Sequence, residues 1–325
     1  MMKVLVIRYS SLGDVLITTP IIRTLVQQRN AEVHFITKTA CAPLLKDNPY
    51  ISRLWLHEMT NMGQLYAEKF DHVVDLHGSL RSILLKSRLG HFRKSYNKER
   101  SSTRQFIKSK DPGLAPRHVL LRYFDCAESL DISYDGLGLD VFPLQSGGAN
   151  RESKPHVAVV LGGTYVTKRI PSSLIKDVLL RKDLTFSLLG GDDVSSIEYE
   201  ESPSVKNYIG RTTLRESISI LSNADIVITG DTGLMHVAAA LSKPTLVIWG
   251  STSPLMGFKP IYKENSMVEN YDLYLGLDCQ PCSKYGKKTC PLSHMRCLRD
   301  ISSRDINKHI DMMISGLPRK TRQKI

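Results

Sequence analysis

The sequence predicts an α/β protein made of two doubly wound domains that face a central cleft, and three observations support this fold class. Short apolar segments alternate with helical segments along the whole chain, which is typical of parallel sheets covered by helices. A stretch rich in Gly, Ser and Pro, residues 145–155, interrupts that alternation once. The 325 residues, 42% of them hydrophobic, are enough for two cores. We therefore expect an N-terminal domain at 1–150 and a C-terminal domain at 151–325.

The predicted elements follow the same alternating order in both halves. Pro20 lies inside the first predicted helix and should kink or restart it, because proline lacks a backbone N–H. Residues 94–116 are polar and basic without a clear period, which predicts a loop. Strands of a parallel sheet end at one edge, so loops from both domains should face the cleft. The predicted strands are 4–8, 33–37, 54–56, 72–76, 156–161, 185–189, 205–208, 226–229 and 245–249, and the predicted helices are 14–28, 40–46, 79–89, 118–129, 172–181, 213–223 and 233–241.

The net charge of +12 is concentrated in two places. Residues 81–122 contain twelve Lys and Arg against two acidic residues, and the tail at 318–324 contains four more basic residues. A surface of this kind fits nucleic acid, an anionic membrane face or an anionic small substrate. A solvated charged face without a partner is the alternative.

Neither a membrane span nor a secretion signal is visible in the sequence. No apolar run approaches the roughly 18 residues of a transmembrane helix. The apolar stretch at 4–7 is too short for a signal peptide and is typical of a first strand. Six cysteines in a chain of this length do not suggest a secreted disulfide scaffold. We expect a cytoplasmic protein.

A phosphate-binding turn is predicted where the strand 226–229 ends. Asp231, Thr232 and Gly233 lead there into a helix of small residues, which places unpaired backbone N–H groups and a hydroxyl at the positive end of a helix. Phosphate groups bind well at such ends. The alternative is an ordinary turn in which Thr232 caps the helix.

Three further loops carry polar groups at the ends of predicted strands. Gly13 and Asp14 follow the first strand, where Asp14 is either a general base or an acid that complements the helix dipole. The Gly-Gly-Thr turn at 162–164 offers N–H donors, and Lys168 offers a point charge suited to a diphosphate. Gly190 belongs to a turn at 190–193 that should lie alongside. The turn at 231–233 and the last two of these loops make three such loops in the C-terminal domain, which indicates a site for a nucleotide sugar.

Four short motifs carry a resemblance to a known family. They are Ser-Ser-Leu-Gly-Asp at 10–14, Lys168-x-x-Pro171, Asp-Thr-Gly-Leu-Met-His at 231–236 and Gly-Ser-Thr-Ser-Pro at 250–254. Together they resemble glycosyltransferase family 9, the heptosyltransferases of lipopolysaccharide core synthesis that use ADP-heptose. The resemblance covers most of the chain. It implies the GT-B fold, with two Rossmann-like domains, and an inverting transfer without a divalent metal or other catalytic cofactor.

The resemblance also implies a role for each polar residue of the predicted cleft. Asp14 would deprotonate the acceptor hydroxyl, and Lys168 would stabilise the departing diphosphate. His236 would support the turn or touch phosphate, with a buried structural histidine as the alternative. The residues expected to bind the nucleotide-sugar donor are Gly13, Thr164, Gly190, Asp231, Thr232, Gly233 and His236.

The acceptor implied by the resemblance is an anionic, membrane-attached glycolipid, which would explain the basic segment at 81–122. We expect Arg81, Lys86 and Arg88 to bind it, and we expect a peripheral contact with the cytoplasmic face of the inner membrane. The competing hypothesis is a basic nucleic-acid-binding protein. Few aromatic residues interleave with the basic ones and no nucleic-acid motif is present, so we expect no nucleic acid partner. The same fold with a UDP- or GDP-sugar donor is a further alternative.

Four cysteines lie close together near the end of the chain, in the order Cys279-x2-Cys282-x7-Cys290-x6-Cys297. The first pair has the spacing of zinc ligands, and the set is compatible with a structural tetrahedral zinc. The second pair lacks the paired spacing of a zinc ribbon. One or two disulfides and four reduced thiols are the alternatives.

Overall fold

Two parallel β-sheets organise the chain, one in each half. The computed structural model describes residues 1–89, 95–142, 154–194, 199, 201–268 and 270–317. The predicted domain boundary at residue 150, most of the linker around it and the basic tail at 318–324 lie outside the described residues.

The N-terminal half contains four parallel strands joined by helices. They are β1 (Lys3–Ile7), α1 (Leu12–Ile17), α2 (Thr19–Arg29), β2 (Glu32–Thr37), β3 (Arg53–Leu56), α3 (Met62–Ala67), β4 (His72–Asp75), α4 (Leu80–Arg88), α5 (Arg100–Ser109) and α6 (Val119–Cys126). The sheet order is β3-β2-β1-β4. The central strands are buried almost throughout, which explains their continuous runs of Val, Ile and Leu. The four predicted strands are confirmed to within one residue at each end.

The C-terminal half repeats this plan with six parallel strands. They are β5 (His156–Val160), α7 (Ser172–Lys176), β6 (Thr185–Leu189), β7 (Val205–Asn207), α8 (Leu214–Asn223), β8 (Ile226–Gly230), α9 (Gly233–Ala240), β9 (Thr245–Ile248), β10 (Asn270–Leu273), α10 (Arg296–Arg299) and α11 (Ser303–Gly316). The sheet order is β10-β9-β8-β5-β6-β7, and the five predicted strands are confirmed. The edge strand β10 was not predicted, because none of its four residues is fully buried. Within the ranges given above, no helix has the length and apolar content needed to cross a bilayer.

The helices differ from the predictions where proline or weak burial decides the local structure. Pro20 restarts the first helix as expected, because α1 ends at Ile17 and α2 carries the proline in its first turn. The predicted loop at 94–116 is wrong in part, since α5 occupies its centre. Only Thr103 and Phe106 of α5 are buried, so the helix shows almost no apolar period. The helix predicted at 40–46 is a 3₁₀ turn, Thr39–Leu44, that contains a proline.

The two halves meet where α1 and α9 approach each other through glycines. A Cβ atom at Gly233 would lie 2.7 Å from Leu12 Cβ, and one at Gly13 would lie 2.7 Å from His236 Cδ2. Both distances are too short for real carbon contacts, so any larger residue would push the helices apart. Apolar side chains of α1, α8 and α9 surround this contact and belong to one buried cluster. The interface between the halves is therefore a packed core.

The substitution Gly233→Ala should lower the thermal stability of the protein. The added methyl group would overlap Leu12, and overpacking of this kind costs about 1–3 kcal/mol. Gly316→Ala is the matched control, because a Cβ atom there would meet nothing within 4 Å. The measurement is thermal unfolding of both variants by circular dichroism. Equal melting temperatures for the two variants would show that the α1–α9 contact tolerates a larger residue.

Candidate active site

A cavity of about 570 Å³ lies between the two halves, beside the start of α1 and the loops that follow β5, β6 and β8. Its volume is within the range of about 300–1,000 Å³ that is usual for ligand pockets. Loops of both halves face it, as the sequence predicted. Every residue predicted to be catalytic or to bind the donor lines this cavity, namely Gly13, Asp14, Thr164, Lys168, Gly190, Asp231, Thr232, Gly233 and His236.

Asp14 lies in the first turn of α1, on the N-terminal wall of the cavity. Its Oδ2 accepts hydrogen bonds from the Ser11 N–H at 3.2 Å and the Ser11 hydroxyl at 2.7 Å, and it forms an ion pair with Arg8 Nη2 at 2.7 Å. Among the described residues, Oδ1 has no hydrogen-bond partner. Burial raises the pKa of Asp14, but Arg8 and Ser11 outweigh burial and the pKa is lowered. Asp14 is thus ionised at neutral pH, and Oδ1 is available to accept a proton.

Lys168 lies on the opposite wall and is held by Asp231. The Lys168 ammonium lies 3.0 Å from Asp231 Oδ2, and the same oxygen accepts a hydrogen bond from the Thr252 hydroxyl at 2.8 Å. The sequence assigned Asp231 to donor binding. In the structure its carboxylate pairs with Lys168, and the backbone after it begins the turn into α9. A contact between Asp231 and the donor stays a prediction.

The start of α9 has no side-chain cap. The Thr232 hydroxyl makes no hydrogen bond to the helix and instead lies 3.3 Å from the Thr229 hydroxyl. The alternative of an ordinary threonine cap is therefore not what the structure shows. The first N–H groups of α9 keep their partial positive charge at the cavity, close to Lys168. A helix end and an ammonium side by side are suited to a diphosphate.

The loops after β5 and β6 lie side by side, as predicted. A Cβ atom at Gly162 would lie 3.2 Å from Gly190 Cα, so these turns approach closely. Asp193 Oδ2 accepts a hydrogen bond from the Gly163 N–H at 2.8 Å and pairs with Arg169 Nε at 3.1 Å. The expectation that the Gly-Gly-Thr turn offers free donors is thus wrong for Gly163. The pair formed by Asp193 and Arg169, which joins the two loops, was not predicted from the sequence.

His236 is buried beneath the α1–α9 contact. Burial lowers its pKa to about 4, so the ring is neutral at physiological pH. Its Nδ1 has no hydrogen-bond partner within the described part of the chain. The ring packs against Gly13, which agrees with the alternative of a buried structural histidine, and the residue also borders the cavity. Support of the turn by His236 stays a prediction. A direct contact between His236 and phosphate stays a prediction.

The three residues predicted to bind the acceptor lie on α4, outside the cavity lining. Arg81 and Arg88 are exposed, and Arg81 lies within 3.4 Å of His57. Lys86 is buried, and its ammonium donates a hydrogen bond to the Ser95 hydroxyl at 2.7 Å. Lys86 therefore holds the chain after α4 and is not part of an open basic surface. Acceptor binding by Arg81 and Arg88 stays a prediction.

Basic residues near Asp14 were not predicted individually from the sequence. Lys284 lines the cavity, and burial together with the charge of Arg122 lowers its pKa to about 8. Burial and the charges of Arg8 and Arg100 likewise lower the pKa of Lys98. Lys98, Arg100 and Arg122 lie within the predicted basic segment, but none of the three lines the cavity. Lys284, which does line it, lies outside that segment.

The cysteine segment, residues 279–297, connects the two halves. Pro281 O accepts a hydrogen bond from the Lys110 ammonium at the end of α5, and the Lys284 ammonium donates to Lys98 O at 3.3 Å. On the other side, the Cys282 N–H donates to Ser251 O at 3.0 Å. The segment therefore contacts both walls of the cleft.

The four cysteines of this segment are free thiols, so the disulfide alternative is not realised. Across the described ranges, no three His, Cys, Asp or Glu side chains are grouped closely enough to hold a metal ion. Cys279 Sγ has His294 Nε2 at 4.0 Å, and burial raises the pKa of Cys297 to about 12. A structural zinc stays a prediction.

Two doubly wound halves, with a carboxylate on one wall of the cleft and an uncapped helix end with a lysine on the other, define a glycosyltransferase of the GT-B fold. The model of glycosyltransferase family 9 (heptosyltransferase) matches residues 61–293, and the chain belongs to this family.

Relatives with solved structures and known names agree with this assignment. The structure of the E. coli ADP-heptose lipopolysaccharide heptosyltransferase II superimposes with a TM-score of 0.71 at 20% identity and covers 97% of this chain and 99% of that one. A Haemophilus influenzae lipooligosaccharide heptosyltransferase 2 is 24% identical over 78% of this chain and 84% of its own length. The chain spans about a third of the length of a Campylobacter jejuni lipooligosaccharide heptosyltransferase 2, at 32% identity over 110 residues.

Proposed function

We propose that this protein transfers a heptose from ADP-heptose to the lipopolysaccharide core or a related envelope glycolipid. One observation carries the proposal: the ionised Asp14 and the pair formed by Lys168 and the start of α9 face one cavity from opposite halves. The E. coli relative is named for this donor and this acceptor class. The direct test is incubation with ADP-heptose and a lipopolysaccharide core acceptor, followed by mass spectrometry of the product. Transfer from UDP- or GDP-sugars but not from ADP-heptose would contradict the donor.

The transfer would proceed as a single displacement. The acceptor hydroxyl loses its proton to Asp14 Oδ1 while its oxygen bonds to the anomeric carbon, and the bond from that carbon to the diphosphate breaks. Lys168 and the N–H groups of α9 stabilise the negative charge that ADP then carries. Attack from the wall that carries Asp14, on the face opposite the leaving diphosphate, would invert the configuration at the anomeric carbon.

The substitution Asp14→Asn should abolish most of the turnover without weakening nucleotide binding. A positioned general base contributes about two to four orders of magnitude, and the amide cannot accept the proton. Asp125→Asn is a control, since that aspartate pairs with Arg117 on an exposed surface. The measurement is kcat at saturating substrates, with the ADP affinity by calorimetry. A kcat within a few-fold of the unsubstituted enzyme would remove Asp14 from the proton transfer.

The substitution Lys168→Met should weaken the binding of ADP. A hydrogen bond to a charged group contributes about 1.5–3 kcal/mol, which corresponds to a ten- to hundredfold loss of affinity. Lys176→Met on α7 is the matched control, because that lysine is exposed and does not line the cavity. Calorimetric titration with ADP measures the effect. Equal affinities for the two variants would place the diphosphate elsewhere.

We further propose that the transfer needs no divalent metal. The support is that the Lys168 ammonium and the positive end of α9 both border the cavity and could compensate the charge of a diphosphate in place of a metal ion. Activity in excess EDTA should therefore equal the activity with added Mg²⁺, measured as initial rates over minutes. Loss of activity in EDTA that Mg²⁺ restores would overturn this part of the mechanism.

A peripheral contact with an anionic membrane is proposed for α4. Its exposed face carries Leu80, Ile83 and Leu84, with Arg81 and Arg88 on the same helix. An apolar stripe flanked by basic residues is typical of helices that lie at a membrane surface. Helix α4 follows β4, the strand that pairs with β1. The exposed face of α4 therefore belongs to the N-terminal half, which also carries Asp14.

The double substitution Ile83→Ser with Leu84→Ser should reduce binding to vesicles that contain phosphatidylglycerol. Both side chains are exposed, so the fold should be unaffected, while the apolar area available to the membrane falls. Leu180→Ser is the control, an exposed leucine of the C-terminal half. Co-sedimentation measures the bound fraction. Equal binding by both variants would exclude α4 as the contact.

A further inference from the structure

Arg8 follows β1 and is the cation that contacts the Asp14 carboxylate. Its side chain is only 8% exposed, and its Nη2 lies 2.7 Å from Asp14 Oδ2. The Ser11 N–H and the Ser11 hydroxyl donate to the same oxygen. In the part of the chain that the structure describes, no other cation pairs with Asp14. The carboxylate is thus held by one oxygen, and Oδ1 is left to accept a proton.

Two other elements of the N-terminal half fix the position of Arg8. Its Nη1 donates a hydrogen bond to Leu76 O at 2.6 Å, directly after β4. Its Cζ lies 5.7 Å from the centre of the Tyr123 ring on α6, which is within the range of a cation–π contact. Tyr123 is fully buried, and its ring packs edge-on against Tyr96 at 4.8 Å. The ends of β1 and β4 and the ring on α6 therefore determine where the guanidinium meets Asp14.

Stability of the fold does not account for this pair. A buried ion pair adds little net stability, because the desolvation of both charges offsets their attraction. Arg8 also has a buried Nε without a hydrogen-bond partner among the described residues, which is a further cost. Arg8 does not line the cavity, whereas Asp14 does. The arrangement therefore favours a role in which Arg8 acts on the substrates only through Asp14.

The other titratable groups around Asp14 keep their charge state between about pH 5 and pH 7. Burial lowers the pKa of His77 and of His236 to about 4, so both rings are neutral in this range. Lys98 and Lys284 are positive there, but within the described ranges neither makes an ion pair or a hydrogen bond with Asp14. Burial raises the pKa of the remaining groups, which stay protonated; they are Cys41, Tyr96, Tyr123 and Tyr285.

We infer that Arg8 is a positioning residue for the transfer: supported by Leu76 O and the Tyr123 ring, it fixes the Asp14 carboxylate and keeps it charged. The inference rests on the proposed function for the role of Asp14 as the base. When the proton of the acceptor hydroxyl binds at Oδ1, the contacts of Oδ2 with Arg8 and Ser11 can persist. The carboxyl group therefore keeps its place before and after the proton transfer.

The first test is the pKa of Asp14 itself, which needs no transfer. In protein labelled with carbon-13 at the aspartate carboxyl carbons, the Asp14 NMR signal is the one that Asp14→Asn lacks. Arg8→Met should raise this pKa by about 1–3 units, because the neighbouring positive charge favours the carboxylate. Arg8→Lys keeps the charge and should restore most of the original pKa. Arg181→Met is the control, because it takes an arginine away from Asp183 and Asp311, and none of these three residues lines the cavity.

The second test is the pH dependence of kcat. Since Asp14 is ionised there, the unsubstituted enzyme should keep its kcat down to about pH 5. In Arg8→Met the acid limb should move upward by about 1–3 units, whereas a merely structural role would lower kcat by the same factor at every pH. In the Asp14→Asn background Arg8→Met should have no further effect on kcat, because a residue that acts through Asp14 loses its effect with it.

The ring beneath Arg8 is tested with a pair of variants. Tyr123→Phe keeps the ring and loses a hydroxyl that has no partner among the described residues, so its pH profile should match that of the unsubstituted enzyme. Tyr123→Leu removes the ring, and its acid limb should move in the same direction as that of Arg8→Met. Equal profiles for Tyr123→Phe and Tyr123→Leu would overturn the part of the inference that concerns Tyr123.

Equal values of the Asp14 pKa in Arg8→Met and Arg181→Met would overturn the role of Arg8. So would a further loss of kcat when Arg8→Met is added to Asp14→Asn. These outcomes leave the proposed function intact if sugar is still transferred. If the Asp14 pKa rises in Arg8→Met but the unsubstituted protein transfers no sugar from ADP-heptose, the proposed function fails and the control of the Asp14 carboxylate by Arg8 stands.

Discussion

The close approach of α1 and α9 determines the geometry of the whole site. Gly13 and Gly233 lie at this contact, and neither leaves space for a Cβ atom. Because each helix begins at the cleft, its first turn borders the same cavity. One helix places a carboxylate there, and the other presents unpaired N–H groups. A wider spacing would move this carboxylate and the start of α9 apart by the added distance, so the width of the cavity depends on the two glycines.

Each reactive group of the cavity is held by an opposite charge, and this pairing decides its state. Arg8 keeps Asp14 ionised by lowering its pKa, so the carboxylate is ready to accept a proton, although it is a weaker base than an isolated one. Asp231 orients Lys168 in the same way. In each pair the cation contacts a single oxygen of the carboxylate, and both pairs are partly shielded from water. Their geometry is therefore more rigid than that of ion pairs on the surface.

The cysteine segment contributes to the site through its backbone and its lysine. It hydrogen-bonds to the loop after β9 through Cys282 and reaches the N-terminal half through Lys284. The contact between the halves therefore has two parts, a packed apolar one at α1 and α9 and a polar one at this segment. The polar part borders the cavity through Lys284 and Tyr285.

The sequence by itself determined the strands, the two-sheet plan and the polar loops at the strand ends, because local apolar runs and glycine-rich turns encode them. It also placed Asp14, Lys168 and the turn at Asp231 in one cleft, since parallel strands end at a common edge. Only the tertiary structure decided which basic residues face that cleft: Lys86 proved buried, whereas Lys98 meets Lys284 across 186 residues of chain. Contacts at such separation depend on how α5 and the cysteine segment pack, and no local pattern encodes this packing.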